Sequence, residues 1–197
     1  MRVTADMIKQ LRELSSAGVL DCKGALEAAE GDMARAQEIL KERGLAKAEK
    51  KADREARQGL IEAYVHLGKA AGVVEVNCET DFVARTPGFK QLAHDLAMQV
   101  VAANPSYVKE EDVPAEVLER EAQKYRAELA AEGKPEDLIG KIVDSKLAKF
   151  RQEICLLSQL FIKDPEKTVK DIVNESVLKN GENIVVRRFV RLELNEN

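Results

Sequence analysis

The sequence has no tryptophan, and aromatic residues make up only 4% of it. A ligand cage built from rigid aromatic rings is therefore not expected. Each phenylalanine that the fold leaves exposed carries more weight for the same reason. The two histidines are His66, on the polar side of a predicted strand, and His94, near a helix face. Neither is expected to be catalytic or to bind a metal.

The motifs of common enzyme classes are also missing. The chain has no glycine-rich phosphate loop, no GxSxG nucleophile elbow and no HExxH zinc motif. Adjacent acids such as Glu110 and Glu111 fit a solvated surface. We therefore expect a protein that acts by binding, not an enzyme, and one that needs no cofactor or metal.

The cysteines are Cys22, Cys78 and Cys155. An odd number at wide spacing argues against a disulfide framework and against a cysteine-based zinc cluster, and it suits a reducing compartment. Met1 is followed by charged and polar residues, and no stretch approaches the roughly 20 apolar residues of a membrane span. We expect a cytoplasmic protein that does not bind membranes.

The charge of the chain indicates which class of partner to expect. With 45% apolar and 34% charged residues, the 197-residue chain can form one sizeable core and a small accessory domain. Its net charge of −4 gives no reason to expect nucleic acid as the main ligand, because phosphate binding needs a concentrated basic face. A protein partner fits the composition better.

Residues 1–45 predict a domain of three short helices. Ile8, Leu11 and Leu14 form an apolar stripe on the first helix, which ends in the segment 15–18. Asp21 and Asp32 are placed to cap the second and third helices, which bear, in order, Ala25, Leu26 and Ala29, then Ala36, Ile39 and Leu40, with the third closed by Gly44. This spacing equally permits a small helix-turn-helix unit.

Residues 46–58 predict a charged helical linker. It contains little large apolar material and carries the basic residues Lys47, Lys50, Lys51, Arg54 and Arg57. Such a run is usually a solvated face, although it could touch nucleic acid or an acidic partner surface. Binding of RNA through this stretch would depend steeply on salt.

Residues 59–197 predict an α+β core that begins with a β-hairpin. Apolar and polar residues alternate over 61–67 and again over 73–79, on either side of the flexible segment 68–72. The apolar set of the first strand is Ile61, Ala63, Val65 and Leu67. A helix over 88–103 has an apolar face that should cover the hairpin.

The rest of the core predicts a helical hairpin at about 115–161, with its break at Gly133-Lys134-Pro135. A further helix over 167–179 leads to a last strand, interrupted only by Arg188, with the alternating residues Ile184, Val186, Val190, Leu192 and Leu194. The fold class is therefore α+β, with a three-stranded antiparallel sheet packed by helices. We expect the helical hairpin to brace the core or to add partner surface.

The most informative run is Asn77-Cys78-Glu79-Thr80-Asp81-Phe82-Val83-Ala84-Arg85. Thr80 is a plausible helix N-cap, which places Asp81 and Phe82 on a tight turn between a strand and a helix. Side chains on such a turn project from a rigid support and suit insertion into a partner. The alternative is that Phe82 belongs to the core and Asp81 only complements the helix dipole.

This run resembles the signature of the bacterial elongation factor Ts family. Two further blocks agree and come in family order: Leu11–Glu13 with Ala17–Lys23, and Gly181–Phe189. Together the blocks span almost the whole chain. One departure is Val19 and Leu20, where family members often carry two methionines, which keeps the apolar character but changes shape.

The resemblance implies a guanine-nucleotide exchange factor for elongation factor Tu. It implies that Asp81 and Phe82, framed by Thr80 and Val83, push into the partner's nucleotide domain near its magnesium site. It further implies a ubiquitin-associated-like fold for residues 1–45, and a docking region there that matches Arg12, Val19, Leu20 and Lys23. Family alignment also draws attention to Lys51 as a candidate partner contact.

The resemblance is to short members of the family, which have one core lobe and are understood to act as dimers. No internal repeat is visible between the strand-bearing parts of this chain. An exposed strand edge offers one route to pairing. Val190 and its neighbours include no cysteine, so the expected homodimer is noncovalent. The alternative function is a small-domain adaptor, in which the N-terminal helices dock and the core only dimerises.

Overall fold

The computed structural model of the chain describes residues 3–15 and 17–195. The described helices are α1 (Ala5–Ser15), α2 (Val19–Ala28), α3 (Met33–Lys51), α4 (Asp81–Ala84), α5 (Pro87–Ala103), α6 (Ala115–Ala131), α7 (Glu136–Ile154) and α8 (Val169–Asn180). The described strands are β1 (Gln58–His66), β2 (Ala70–Cys78), β3 (Leu160–Phe161), β4 (Asp164–Thr168) and β5 (Ile184–Glu193).

The main sheet is three-stranded and antiparallel, in the order β1-β2-β5. This confirms the predicted α+β fold. Strands β3 and β4 form a separate antiparallel pair that the sequence reasoning missed. None of the described helices is long and apolar enough to cross a lipid bilayer.

The chain divides into two compact units. The first comprises the residues up to Glu62, Val74–Asp95 and Asp171–Arg187; the second comprises Ala63–Val73, Leu96–Lys170 and the residues from Arg188 onward. The division predicted from the sequence, into 1–45, 46–58 and 59–197, stays a prediction.

In the first unit, α1, α2 and α3 surround a small core, as the spacing predicts. Its fully buried members include Leu11, Cys22, Ala25, Leu26, Ala36 and Leu40. The predicted end of the third helix at Gly44 is wrong, because α3 continues to Lys51. Gly44 is buried, and a Cβ there would lie 3.4 Å from Cδ2 of Leu178 in α8. Gly44 therefore lies inside the helix, where it faces α8, and does not end it.

The strand predicted at 61–67 exists as β1, and its polar side is the more buried one. Leu60, Glu62 and Tyr64 are partly buried, whereas the intervening residues are exposed. Glu62 accounts for this, because its Oε1 lies 3.1 Å from Nδ1 of His94 on α5. The apolar side of β1 therefore faces away from α5.

The alternation predicted for the last strand is split between two sides. Ile184 and Val186 are buried, but Val190 and Leu192 are exposed. The change of side falls at Arg187 and Arg188, which are both exposed. The prediction of one continuous apolar alternation along this strand is therefore wrong, although the strand itself is confirmed.

Helix α5 covers the hairpin in the second unit as predicted. A Cβ added to Gly72 of β2 would lie 2.7 Å from the Ala97 carbonyl oxygen and 3.0 Å from Cγ2 of Val101. The absence of a side chain at Gly72 lets the helix backbone approach the strand this closely.

Helices α6 and α7 form the predicted hairpin around Ala122, Leu129 and Val143. The predicted end of the second helix at 161 is wrong, since α7 ends at Ile154. The buried side chain of Gln159 donates to the Glu153 carbonyl at 2.7 Å and to the Ala103 carbonyl at 3.1 Å. The chain therefore folds back at the helix end and continues into β3.

Candidate partner-binding site

The turn between β2 and α5 is the predicted one. Thr80 caps α4 and accepts a hydrogen bond from the Val83 amide at 3.4 Å. Asp81 and Phe82 are the first two residues of this four-residue helix. Thr86 then caps α5, because its hydroxyl accepts from the Phe89 amide at 3.2 Å. The turn is thus fixed at both ends by threonine caps.

Phe82 is 79% exposed although its neighbours are covered. Val83 is half-buried and Ala84 is buried, so the turn faces inward through these residues and outward through the ring. Asp81 Oδ2 pairs with the Arg85 guanidinium at 2.8 Å. The alternative in which Phe82 belongs to the core is wrong.

Two carboxylates, those of Glu182 and Glu79, connect this turn to the segment 181–183 by hydrogen bonds. Glu182 accepts from the Thr80 amide at 3.0 Å and from the Thr80 hydroxyl at 2.6 Å. Glu79 accepts from the Asn183 amide at 2.6 Å and lies 3.6 Å from a guanidinium nitrogen of Arg54. Hydrogen bonds to charged groups are stronger than neutral ones, so this support is firm.

The thiol of Cys78 forms a further hydrogen bond within the turn. The buried Cys78 Sγ donates to the Thr80 carbonyl at 3.1 Å. Burial and then the negative charge of Glu182 raise the pKa of the Cys78 thiol. A raised pKa keeps the thiol protonated and able to donate. Cys78 is therefore a structural cysteine.

The segment 181–183 also ties the end of α3 to the turn. The buried Asn183 side chain donates to the Arg54 carbonyl at 2.8 Å and to the Ala52 carbonyl at 3.2 Å. Lys51 is half-buried, and its Nζ lies 3.9 Å from the position of a Cβ added to Gly181. Lys51 is thus next to this segment, within the first unit. The side chain of Lys47 lies outside the described residues.

The predicted N-terminal docking residues lie on α1 and α2. Val19 is 51% exposed and Leu20 is 84% exposed, so neither is a core residue. Lys23 is exposed on α2 and lies 3.7 Å from Glu27. Arg12 is exposed on α1, at a shallow depression also lined by Lys9, Glu13 and Lys179.

Leu14 is a further exposed apolar residue on α1, and the sequence reasoning assigned it to the core stripe with Ile8 and Leu11. Residues three apart on an α-helix are separated by somewhat less than one full turn. Two such steps therefore place Leu14 about 120° around the helix from Ile8. The buried stripe instead follows Met7, Ile8 and Leu11. The angular offset of Leu14 from Ile8 was therefore the signal in the sequence that Leu14 is exposed.

A second exposed apolar surface lies in the second unit, on one side of the main sheet. We call it the outer sheet surface, and it consists of Val65 and Leu67 at the β1 end, with Val190, Leu192 and Leu194 in and just after β5. The Leu194 amide donates to the Lys69 carbonyl at 2.9 Å, which brings the end of β5 to the hairpin turn.

The described residues contain no group of three or more histidine, cysteine or acidic side chains placed to hold a metal ion. The turn at Thr80–Val83 instead offers a projecting aromatic ring on a fixed backbone. Such an arrangement is suited to entering a cavity in another protein.

Comparison with known proteins gives a consistent result. The sequence profile of the family described as Elongation factor TS matches residues 3–196. The elongation factor Ts of Carboxydothermus hydrogenoformans is 55% identical over 195 residues, which are 98% of this chain and 90% of that protein. Those of Thermodesulfovibrio yellowstonii, 52% identical over 196 residues, and Thermotoga maritima, 54% identical over 197 residues, each match 100% of this chain and 98% of their own. The similarity therefore runs the length of the chain.

Proposed function

The chain belongs to the elongation factor Ts family, and from that premise we propose that it releases GDP from elongation factor Tu and lets GTP replace it. Family membership makes it a translation elongation factor. The exchange involves no covalent chemistry, so the protein is not an enzyme that converts a substrate. Its site of action is the bacterial cytoplasm, where its partner works.

The proposed mechanism is the insertion of Phe82, with Asp81 beside it, into the nucleotide domain of the partner. A GTPase holds GDP through phosphate contacts and a magnesium ion. A factor that binds best when those contacts are loosened shifts the partner toward that state. The coupling is reciprocal, so nucleotide that binds again weakens the hold of the factor and expels it.

The observation that carries this proposal is the exposure of Phe82 on a turn whose backbone is fixed by Thr80 and Glu182. Burying one phenylalanine side chain stabilises a complex by roughly 1.5–3 kcal/mol. At about 1.4 kcal/mol per factor of ten, this corresponds to roughly tenfold to hundredfold faster release if the gain is confined to the loosened state.

Docking through α1 and α2 supplies binding that does not depend on the nucleotide site. Val19 and Leu20 offer apolar area, and Arg12 and Lys23 offer positive charge. Binding of this kind lowers the concentration of factor needed without changing the maximal rate of release. We therefore assign docking to these residues and acceleration to Phe82.

We also propose that the protein is a noncovalent homodimer that pairs through the outer sheet surface. Its occupant is a second copy of this chain, because the surface is apolar at Val65, Val190 and Leu192 and a twofold axis makes such a surface self-complementary. Packing of two sheets face to face buries the apolar side completely. All three cysteines are buried, in keeping with pairing that needs no disulfide.

The direct test is the release rate of fluorescent GDP from elongation factor Tu. We expect the intact protein to accelerate release and Phe82→Ala to lose at least about tenfold of the acceleration. Leu138→Ala is the matched control, because Leu138 is also an exposed apolar residue but belongs to helix α7 and not to the Thr80 turn. It should act as the intact protein does.

Two outcomes would contradict the proposal in different ways. If intact protein leaves release unchanged, the exchange function is wrong. If Phe82→Ala acts normally while intact protein accelerates release, exchange occurs but another surface drives it. Circular dichroism of each variant checks that the fold is retained.

A further inference from the structure

The turn that carries Phe82 and the segment 181–183 hold each other by reciprocal bonds. Glu182 accepts from the backbone amide of Thr80, and Glu79 accepts from the backbone amide of Asn183. Each segment therefore supplies one carboxylate and one amide to the other. The partners lie more than 100 residues apart along the chain, so neither contact is a by-product of local helix or turn formation.

The contact with Glu182 extends through Thr80 to the backbone of α4. The Thr80 hydroxyl donates to Glu182 and accepts from the Val83 amide, which forms a chain of hydrogen bonds that ends on a carboxylate. Such chains polarise their members in the same direction and strengthen one another. Phe82 is held between Thr80 and Val83, so this chain fixes the backbone on both sides of the exposed ring.

Asn183 connects the same turn to the end of the N-terminal helices. Its side chain donates to the backbone carbonyls of Ala52 and Arg54, directly after α3, while its amide donates to Glu79. Arg54 approaches Glu79 as well. Asn183 therefore holds two parts of the chain together. One is the segment that follows α3, and the other is the turn that bears Phe82.

We propose that Glu182, with Glu79 and Asn183, positions Phe82 for nucleotide release. Glu182 does not touch the partner's nucleotide site in this proposal; it acts by holding Thr80. The inference rests on the proposed exchange function and adds that orientation of the ring, and not its exposure alone, determines the rate.

The proposal separates two kinetic quantities. A positioning residue for a group that acts only during release lowers the maximal release rate, while docking through α1 and α2 keeps the half-saturating concentration nearly unchanged. A residue that matters only for folding would lower the amount of active protein or change both quantities.

The test uses Glu182→Gln in the full-length protein. The substitution preserves shape, but only one oxygen remains to serve the two Thr80 donors, and the new amide group cannot accept from the Thr80 amide. We expect the maximal release rate of fluorescent GDP to fall roughly tenfold, as for a lost hydrogen bond to a charged group. Glu119→Gln, at an exposed carboxylate on α6, is the matched control and should act as the intact protein does.

A double-mutant cycle with Phe82→Ala provides the readout that a purely structural role would not change. If Glu182 acts through Phe82, Glu182→Gln should have little further effect once the ring is absent. Amide hydrogen exchange at Thr80 and Val83 should also be faster in Glu182→Gln than in the Glu119→Gln control.

The outcomes are distinct. Normal release by Glu182→Gln, alongside slow release by Phe82→Ala, overturns the positioning role and leaves the exchange function standing. Fully additive losses in the cycle also overturn it. If intact protein does not accelerate release, the exchange function fails and the positioning role falls with it. Should Glu182→Gln not fold, Glu79→Ala removes the acceptor of the Asn183 amide, breaks the reciprocal contact from the other side and must give the same cycle.

Discussion

At the scale of single residues, the exposed apolar side chains divide into those that act alone and those that act as a group. Phe82 projects from its turn while the adjacent Val83 is half-buried and Ala84 is buried, whereas the exposed Leu14, Val19 and Leu20 come from the end of α1 and the start of α2. A single ring suits insertion into a pocket, and a small group suits attachment to a surface.

Leu20→Ser tests the attachment. We expect the half-saturating concentration of factor in the release assay to rise by roughly tenfold or more, because an apolar contact is lost. The maximal rate should stay close to that of the intact protein. Titration of factor against fluorescent GDP release measures both quantities, and a lower maximal rate at saturation would place Leu20 in the release step instead.

Local pattern was enough to predict that Thr80 caps the helix and that Asp81 and Phe82 lie on the turn after β2. It could not predict Glu182, because its partner Thr80 lies 102 residues away. It also misplaced Leu14, since a spacing of three was accepted as one stripe although it drifts around the helix. Exposure of Phe82 followed only from the structure, because the local pattern fits both a projecting ring and a core residue.

At the scale of elements, β2 and α5 approach each other closely at Gly72. Gly72 allows the strand to meet the Ala97 carbonyl, where any side chain would strike backbone and not a flexible group. Backbone cannot move aside without shifting the whole helix, so the position tolerates little.

Gly72→Ala should therefore destabilise the protein by about 1–3 kcal/mol. Gly140→Ala is the matched control, because Gly140 lies in α7 with open space around its Cβ position. Alanine there should stabilise the helix by about 0.5–1 kcal/mol. Urea unfolding of both variants measures the difference, and equal stability for the two would refute the packing argument.

Strands and helices differ in how well the sequence predicted them. Helices α5, α6 and α8 are long enough for their apolar period to be read, and their bounds agree with the prediction within a few residues. Strand β3 has two residues, too few for any period to be seen. For β1, alternation gave the strand but not the covered side, which depends on the distant pairing of Glu62 with His94.

At the scale of the whole molecule, the outer sheet surface raises the question of assembly. A monomer that exposes Val65, Val190 and Leu192 on one side of a sheet leaves a considerable apolar area in water. Covering it with a second copy removes this area from water without any change of fold.

Leu192→Lys should shift the protein from dimer toward monomer, because two lysines would meet near the twofold axis or lie buried without a partner. Sedimentation velocity at micromolar concentrations measures the change. Leu138→Lys, outside the outer sheet surface, should leave the assembly as it is. Intact protein that sediments as a monomer at these concentrations would refute the dimer.

The support of the Thr80 turn has a consequence for the order of events during synthesis. Residue 80 leaves the ribosome long before residue 182, and chains fold as they emerge. Until Glu182 and Asn183 arrive, Thr80 lacks its carboxylate and Glu79 lacks its amide, so the turn has only its local threonine caps. An unfinished chain would therefore carry the whole Asn77–Arg85 run without the contacts that position Phe82 in our proposal. Synthesis of the segment 181–183 is therefore the step that lets the turn hold Phe82 in position.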